Sequence, residues 1–558
     1  MKKRADAVRE TYRRIRELGE QPVWIHLIPE AESLARLEAL GPRSESLPLY
    51  GMTFAIKDNI DLAGVPTTAG CPEFAYVPEK SAGVVERLLA AGAIPIGKTN
   101  MDQFAAGLVG TRSPYGACSS VYDKRYISGG SSSGSAVAVA ANLVDFALGT
   151  DTAGSGRVPA SFNNIVGFKP TRGALSTSGV VPACRTLDCV SIFAEDAAMA
   201  ERIFEVAVGF DSEDAYSRVP GQAREWPVSG FRFGVPAEEM LRFFGDESAV
   251  RLYRDAIARF EKKGGKKVEF DYSPFHEAAQ LLYSGPWVAE RLAAITEFAQ
   301  AHPEALHPVT GKIILSAASL SAVDAFGAMY QLAALARRAE REWERMDFML
   351  LPTAGAAYTH EEVAAEPVAL NTNLGYYTNF VNLLDLAALA IPAGFRSNGI
   401  PFGVTLIGPA WSDAALLDTA AQSQPYCPAG YVPLAVCGAH LRGQPLNRQL
   451  TSAGAFFIEA CQTSPNYRLY ALNGTVPAKP GLAFAPTGGA AIDVEVWAVP
   501  VSTFGAFVAA VPPPLAIGTC TLSSGRKVKS FVCEPFALEN AAEITELGGW
   551  RQYLGRRI

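Results

Sequence analysis

The sequence is poor in the features that would tie it to a metal, a membrane or a nucleic acid. Its six histidines include no HExxH and no histidine–cysteine cluster, so no metal centre is indicated. Its nine cysteines are odd in number and contain no CxxC, which argues against a disulfide framework and a zinc ribbon and leaves buried reduced thiols. A net charge of −7 offers no basic footprint for nucleic acid. The densest charge run, Arg337 to Arg345, mixes both signs as a solvated helix face does. No apolar run reaches transmembrane length, and the charged N-terminal stretch lacks the apolar segment of a signal peptide. A cytoplasmic protein without membrane partner is expected.

What is present is apolar substance in quantity. Apolar residues make up 49% of 558 and charged residues 19%, the balance of a globular protein long enough for two or three domains. The first 45 residues read as two helical stretches, the second, Glu30 to Leu40, stopped by Gly41-Pro42. Next, LYGMTFAIKDNI holds an apolar run, Phe54 to Ile56, that suits a buried strand delivering Lys57 at its end.

The most unusual stretch runs from Ile127 to Arg172. It sets two glycine–serine loops, at 129–135 and 153–156, on either side of a small-residue apolar segment and a strand-like run, Phe146 to Leu148. Glycine at such density serves close backbone approach or positive φ. Free N–H groups in such turns form a nest for negative charge, and serine beside a nest is a candidate nucleophile.

Two motifs mislead, one before this stretch and one within it. Residues 92–99, GAIPIGKT, match G-x-x-x-x-G-K-[ST] letter for letter. A phosphate loop follows a strand and offers N–H groups, whereas here a helix-like ERLLAA precedes Gly92 and Pro95 has no N–H to give. Gly130 to Gly134 satisfies G-x-S-x-G with Ser132 at its centre. That elbow leaves Lys57 and the second glycine loop without a role, and no downstream histidine is singled out. A serine hydrolase with a lysine base uses more of the residues. Such a lysine must be neutral, which requires its pKa to fall by roughly 3 units, about 4 kcal/mol.

The string GGSSSGSAVAVAANLVDFALGTDTAGSGRVPASFNNIVGFKPT resembles the signature of the amidase signature family, and AIKDNI and GKTNMDQFA resemble two further blocks of it. The resemblance implies a mixed central β-sheet flanked by helices and a Ser-cisSer-Lys triad: Ser155 as nucleophile, Ser131 as bridge after a cis peptide, Lys57 as base. It places the oxyanion hole on the N–H groups of Thr152, Ala153, Gly154 and Ser155, and implies no cofactor.

In LLYSGPWVAERLAAI, Tyr283 and Arg291 stand eight residues apart, near two helical turns, and can look the same way if Gly285-Pro286 permits. An arginine fork suits a planar carboxylate. This block, with GLVGTRSPYGA beginning at Gly107, resembles the allophanate hydrolase branch, where a tyrosine and an arginine so spaced hold the substrate's carboxylate. The alternative for Arg291 is a surface pair with Glu290.

The amidase-like part is expected over 1–425, a Pro/Gly-rich linker over 426–433, and an α+β domain over 434–558. The last resembles the accessory domain of allophanate hydrolases and, through it, the γ-glutamyl cyclotransferase fold. His440, in its opening glycine turn, and Glu495, in DVEVWAV, are its ionisable candidates. The resemblance implies hydrolysis of allophanate through N-carboxycarbamate, a homodimer, and a functional link to a urea carboxylase. Two alternatives stand beside it: a general amidase or amidotransferase-type subunit, and a C-terminal domain that serves only as an interaction module.

Overall fold

The structure is a computed structural model that describes residues 2–19, 21–227, 229–423, 427 and 430–555. The chain divides into two compact units, Met1–Gln424 and Pro425–Ile558.

In the first unit, eleven strands among the described residues form one sheet: β1 (Trp24–Leu27), β2 (Thr53–Lys57), β3 (Ile94–Thr99), β4 (Phe146–Thr150), β5 (Val166–Lys169), β6 (Val190–Ala194), β7 (Arg232–Pro236), β8 (Lys266–Phe270), β9 (Phe348–Pro352), β10 (Leu386–Phe395) and β11 (Pro401–Pro409), in the order β1-β3-β2-β4-β6-β5-β10-β11-β9-β7-β8. The sheet is mixed. β2 runs parallel to both β3 and β4, while β4, β6, β5, β10, β11 and β9 succeed one another antiparallel.

Every residue of β2, β3, β4 and β5 is buried, as continuous apolar runs predict for strands covered on both faces. Phe54 and Phe146, cross-strand partners, stack at 5.1 Å. The IPIGKT of the phosphate-loop match is strand β3, and its register against β2 slips where Pro95, lacking an N–H, faces Phe54. Helix Ser133–Ala140, all small residues, packs closely enough that a Cβ on Gly134 would meet Val23 O at 2.4 Å.

The N-terminal stretch is not two consecutive helices. Helices Lys2–Leu18 and Glu30–Ala39 are separated by β1, whose four residues WIHL are too few to show a period. Tyr283 and Arg291 do not share a helix either. Gly285 takes extended dihedrals and Pro286 opens the next helix, so Ser273–Ser284 and Trp287–Ala301 are separate elements.

The second unit has its own core, including Leu434, Leu469, Val496, Trp497 and Trp550. Its strands are β12 (Tyr431–Val436), β13 (Phe456–Gln462), β14 (Tyr467–Ala471), β15 (Pro480–Phe484), β16 (Asp493–Pro500), β17 (Leu515–Thr521), β18 (Lys527–Cys533) and β19 (Ala542–Glu543), in a five-stranded sheet β13-β16-β12-β18-β17 and a three-stranded sheet β15-β14-β19. Helix Val501–Ala509 interrupts what reads as strands and turns. Of the expected linker, residues 426, 428 and 429 lie outside the described residues, as do 424 and 425 at the expected end of the first domain, and 431–433 already belong to β12.

Candidate active site

Three adjacent strands, β3, β2 and β4, present their C-terminal ends together, and the site is built there. Lys57 is the last residue of β2 and has no exposed surface. Its Nζ donates to Ser131 Oγ at 2.8 Å and to Thr150 Oγ1, at the end of β4, at 2.7 Å. Burial brings its pKa down to about 7, against the raising pull of Asp102, Asp151 and Asp188 and with help from Arg291. A lysine so placed is substantially neutral near neutral pH.

Ser131 follows a cis peptide from Gly130. Its carbonyl accepts from Asp102 N–H at 3.0 Å, and the Asp102 carboxylate takes the N–H groups of Gly110 and Arg112 at 2.9 and 2.8 Å. Asp102 thus ties the loop from Gly107 to the serine loop. A Cβ on Gly130 would lie 2.3 Å from Asp102 Oδ2, so only glycine fits there. Ser132 and Ser133 turn to backbone carbonyls, of Thr150 and Asn100, in keeping with structural serines.

Ser155 opens the turn into helix Arg157–Phe162. Its Oγ has Gly107 O at 3.5 Å, too long to hold the hydroxyl firmly. The turn is stapled by Asp151. One carboxylate receives Gly154 N–H at 2.8 Å, Gly156 N–H at 3.0 Å, and both Nε and Nη2 of Arg157 at 2.9 Å, all buried. Burial raises the Asp151 pKa, but Arg157 outweighs it and the net shift is downward, so the staple is a permanent anion.

This corrects one expectation. Gly154 N–H is committed to Asp151 Oδ1 and is not open to an oxyanion. Among the described residues, the N–H groups of Thr152, Ala153 and Ser155 have no hydrogen-bond acceptor, so these three remain as donors. Gly154 is needed for shape: φ is +132°, and a Cβ there would meet Thr378 Oγ1 at 2.4 Å. Thr152 Oγ1 donates to Asp188 Oδ1 at 2.5 Å, and Asp188 accepts Ala183 N–H at 2.8 Å. Asn382 Nδ2 donates to the carbonyls of Asp151 and Leu187 at 2.7 and 2.8 Å.

Arg291 is 2% exposed. Its Nη1 has only a long contact, 3.4 Å, to Ala105 O, while Nε and Nη2 are buried without a partner among the described residues. The helix break does not separate it from Tyr283, whose ring centroid lies 5.7 Å from the guanidinium carbon. The surface-pair alternative does not form, because the Glu290 carboxylate is taken by Thr186 N–H and Oγ1 at 2.7 and 2.8 Å. The charge of Arg291 acts on both Lys57 and Asp188. A cavity of about 500 Å³ reaches Asp188 and is otherwise lined by residues such as Tyr76, Val181, Arg185 and Ala294; Lys57, Ser131, Ser155 and Arg291 are not among its lining residues.

The Amidase family matches residues 6–417, and the Allophanate hydrolase C-terminal domain family matches residues 432–555. The chain belongs to the amidase signature family, in its allophanate hydrolase branch. It is similar to a crystallised Kluyveromyces lactis allophanate hydrolase, with 42% identity, a TM-score of 0.72, and coverage of 100% of this chain and 97% of that one. It is 44% identical to urea amidolyase of Saccharomyces cerevisiae over 95% of its own length, but spans only 31% of that protein. A glutamyl-tRNA(Gln) amidotransferase subunit of Symbiobacterium thermophilum is 37% identical over 71% of this chain and 86% of the relative.

Several residues of this amidase site escaped the sequence reading: Thr150, Asp102, Asp151 with Arg157, Asp188 and Asn382. Only the Asp151–Arg157 pair carried a local signal, a carboxylate and a guanidinium six residues apart across a glycine turn. Among the described residues, no group of three or more His, Cys, Asp or Glu side chains could hold a metal ion.

In the second unit, His440 and Glu495 do not pair. The imidazole stacks on Phe531 at 4.8 Å, its Nε2 lies 2.9 Å from Gln449 Oε1, and burial lowers its pKa. Glu495, 1% exposed, accepts Arg442 N–H at 2.8 Å and Arg551 Nη2 at 2.7 Å. Burial pushes its pKa up, but the two arginines prevail and lower it, so Glu495 is a fixed anion tying the glycine turn to β16.

Proposed function

We propose that the chain hydrolyses allophanate, urea with a carboxylate on one nitrogen. The observation that carries this reading is Arg291: a buried guanidinium with two unpartnered N–H groups, in electrostatic reach of the lysine base. A neutral amide offers such a cation only a single uncharged carbonyl acceptor, whereas a carboxylate offers a charged, bidentate partner. Similarity to allophanate hydrolase supports the same substrate.

In the proposed mechanism neutral Lys57 takes the proton of Ser131 Oγ, and Ser131 takes that of Ser155. Ser155 Oγ then attacks the terminal amide carbon. The N–H groups of Thr152, Ala153 and Ser155 stabilise the tetrahedral oxyanion, and the relay returns a proton to the departing nitrogen, releasing ammonia. Water repeats the sequence on the acyl-enzyme and frees N-carboxycarbamate. Protonation and loss of carbon dioxide from that product leave carbamate, which breaks down to ammonia and a second carbon dioxide, so each allophanate yields two ammonia and two carbon dioxide in all. A urea-carboxylating enzyme would supply the substrate, and the likeness to part of urea amidolyase supports that link.

The second unit, with His440 in its glycine turn, is assigned to the decarboxylation half. If His440→Ala left the rate and yield of carbon dioxide unchanged, that assignment would be dropped. The substrate is tested by ammonia release from allophanate and from neutral malonamide, by wild type and Arg291→Ala. The variant is expected to lose about 10²-fold in kcat/KM on allophanate, the worth of one charged hydrogen-bonded pair, and to keep malonamide once the pH is above the limb of Lys57. A wild type that prefers malonamide would make the chain a general amidase with the same triad.

A further inference from the structure

In GKTNMDQFA, the two residues after Met101 tie one loop to different parts of the site. Asp102 ties it to the bridging serine through its N–H and Ser131 O. Gln103, 1% exposed, ties it to the chain that carries Arg291: its Nε2 donates to Ala305 O at 2.9 Å, and its Oε1 accepts His307 N–H at 2.7 Å. Both partners lie just past helix Trp287–Ala301, so both ends of one buried amide go to a single distant segment. A ring contact runs beside these bonds. The Phe104 ring lies 5.8 Å from that of Phe298, two turns after Arg291 on the same helix, and Phe74 meets both edge-on at 5.2 Å. Ile295, one turn after Arg291, belongs to the same apolar cluster as Phe104.

Phe104 and Ala105 both take left-handed dihedrals, with φ of +50° and +54°, although neither is glycine. Such a conformation is uncommon for residues with a side chain and persists where surrounding contacts over-determine it. Here those contacts include Phe104 N–H to Ala69 O at 2.9 Å and Gln103 N–H to Arg112 O at 2.7 Å. The resulting path turns three successive carbonyls to three different groups: Ala105 O to Arg291 Nη1 at 3.4 Å, Ala106 O to Arg112 Nη1 at 2.7 Å, and Gly107 O to Ser155 Oγ at 3.5 Å. Residues 105–107 therefore span from the guanidinium to the nucleophile. Arg291 itself sits between the helix start at Trp287 and an irregular residue, Ile295 (φ −133°, ψ 23°), so its place depends on what that helix docks against.

We propose, on the reading of Arg291 as the partner of the substrate carboxylate, that Gln103 is a positioning residue that sets the span between Arg291 and Ser155 and, through it, the length of substrate the site accepts. In allophanate one nitrogen separates the carboxylate carbon from the amide carbon, and malonamate has one carbon in that place. Succinamate has two, so its amide carbon overshoots Ser155 when its carboxylate is held. Attack requires the reacting atoms about 3–3.5 Å apart, and a misplacement of about 1 Å costs about 10²-fold. Two hydrogen bonds and a ring contact on the side of Arg291, with Asp102 on the side of Ser131, hold the span to that precision. Malonamide, anchored by no carboxylate, is insensitive to it.

The test is kcat/KM of the full chain for allophanate, malonamate, succinamate and malonamide, at a pH where Lys57 is neutral, in wild type, Gln103→Met and Gln103→Glu. Methionine keeps the side chain's length and loses both hydrogen bonds, whereas glutamate keeps the acceptor for His307 N–H and loses the donor to Ala305 O. Gln103→Met is expected to lose about tenfold on allophanate and malonamate, to keep malonamide within about twofold, and to lower the malonamate-to-succinamate ratio at least about fivefold. Gln103→Glu is expected to fall between it and wild type, and carries the same comparison should the methionine variant not fold. A loss shared equally by all four substrates, or a ratio that neither variant moves, would overturn the inference. A wild type that prefers malonamide would instead remove the allophanate reading, and the malonamate-to-succinamate ratio would then decide the role of Gln103 by itself.

Discussion

Arg291 acts on the chemistry of Lys57 although neither is the other's hydrogen-bond partner. Lys57 must be neutral to act as base, so kcat/KM for ammonia release should rise with pH through a limb near pH 7 and level above it. The positive charge of Arg291 lowers the lysine pKa, so Arg291→Ala should move that limb to higher pH on a neutral amide. An unmoved limb would detach the arginine from the base, whatever happened to the affinity for allophanate. Ser155→Ala should abolish turnover while leaving the fold intact, because its hydroxyl makes only a long contact.

At the scale of the element, the turn 151–157 depends on one buried anion. Asp151→Ala strands the Arg157 guanidinium, which has no exposed surface, and should destabilise the first unit by about 3–5 kcal/mol in denaturant unfolding. Gly154→Ala should be nearly as damaging, since positive φ and the approach of Thr378 both exclude a Cβ. The sequence made parts of this region legible and hid others. Lys57 could be read only together with the serine loops, which need a base, because a lysine after an apolar run by itself reads as a surface residue. Ser131 and Ser155 could be read because glycine density marks backbone under constraint, although choosing them over Ser132 took the family resemblance. The staple's hold on Gly154 N–H, which takes one donor from the oxyanion hole, needs the turn's actual path. So does Asp188, 36 residues from the Thr152 it holds. Arg291 was found for its spacing from Tyr283, but the two meet across a helix break and not along one helix, because Pro286 cannot continue the turn before it.

Over the whole molecule, the division into two units was visible as a change in composition, while its exact edge was not: β12 begins at Tyr431 with residues that also suit a linker. Each unit has its own apolar core, so calorimetry of the intact chain should show two unfolding transitions, and Asp151→Ala should lower only one of them. A single transition moved as a whole by that substitution would mean that the units unfold as one.

The unpartnered nitrogens of Arg291 have one more consequence. A buried cation with two open N–H groups cannot tell the carboxylate of a substrate from that of any small planar anion. Formate, acetate and bicarbonate should each compete with allophanate, and bicarbonate arises in solution from the carbon dioxide of the proposed reaction. Turnover would then slow as its own waste accumulates, and rates measured in acetate or bicarbonate buffers would understate the enzyme.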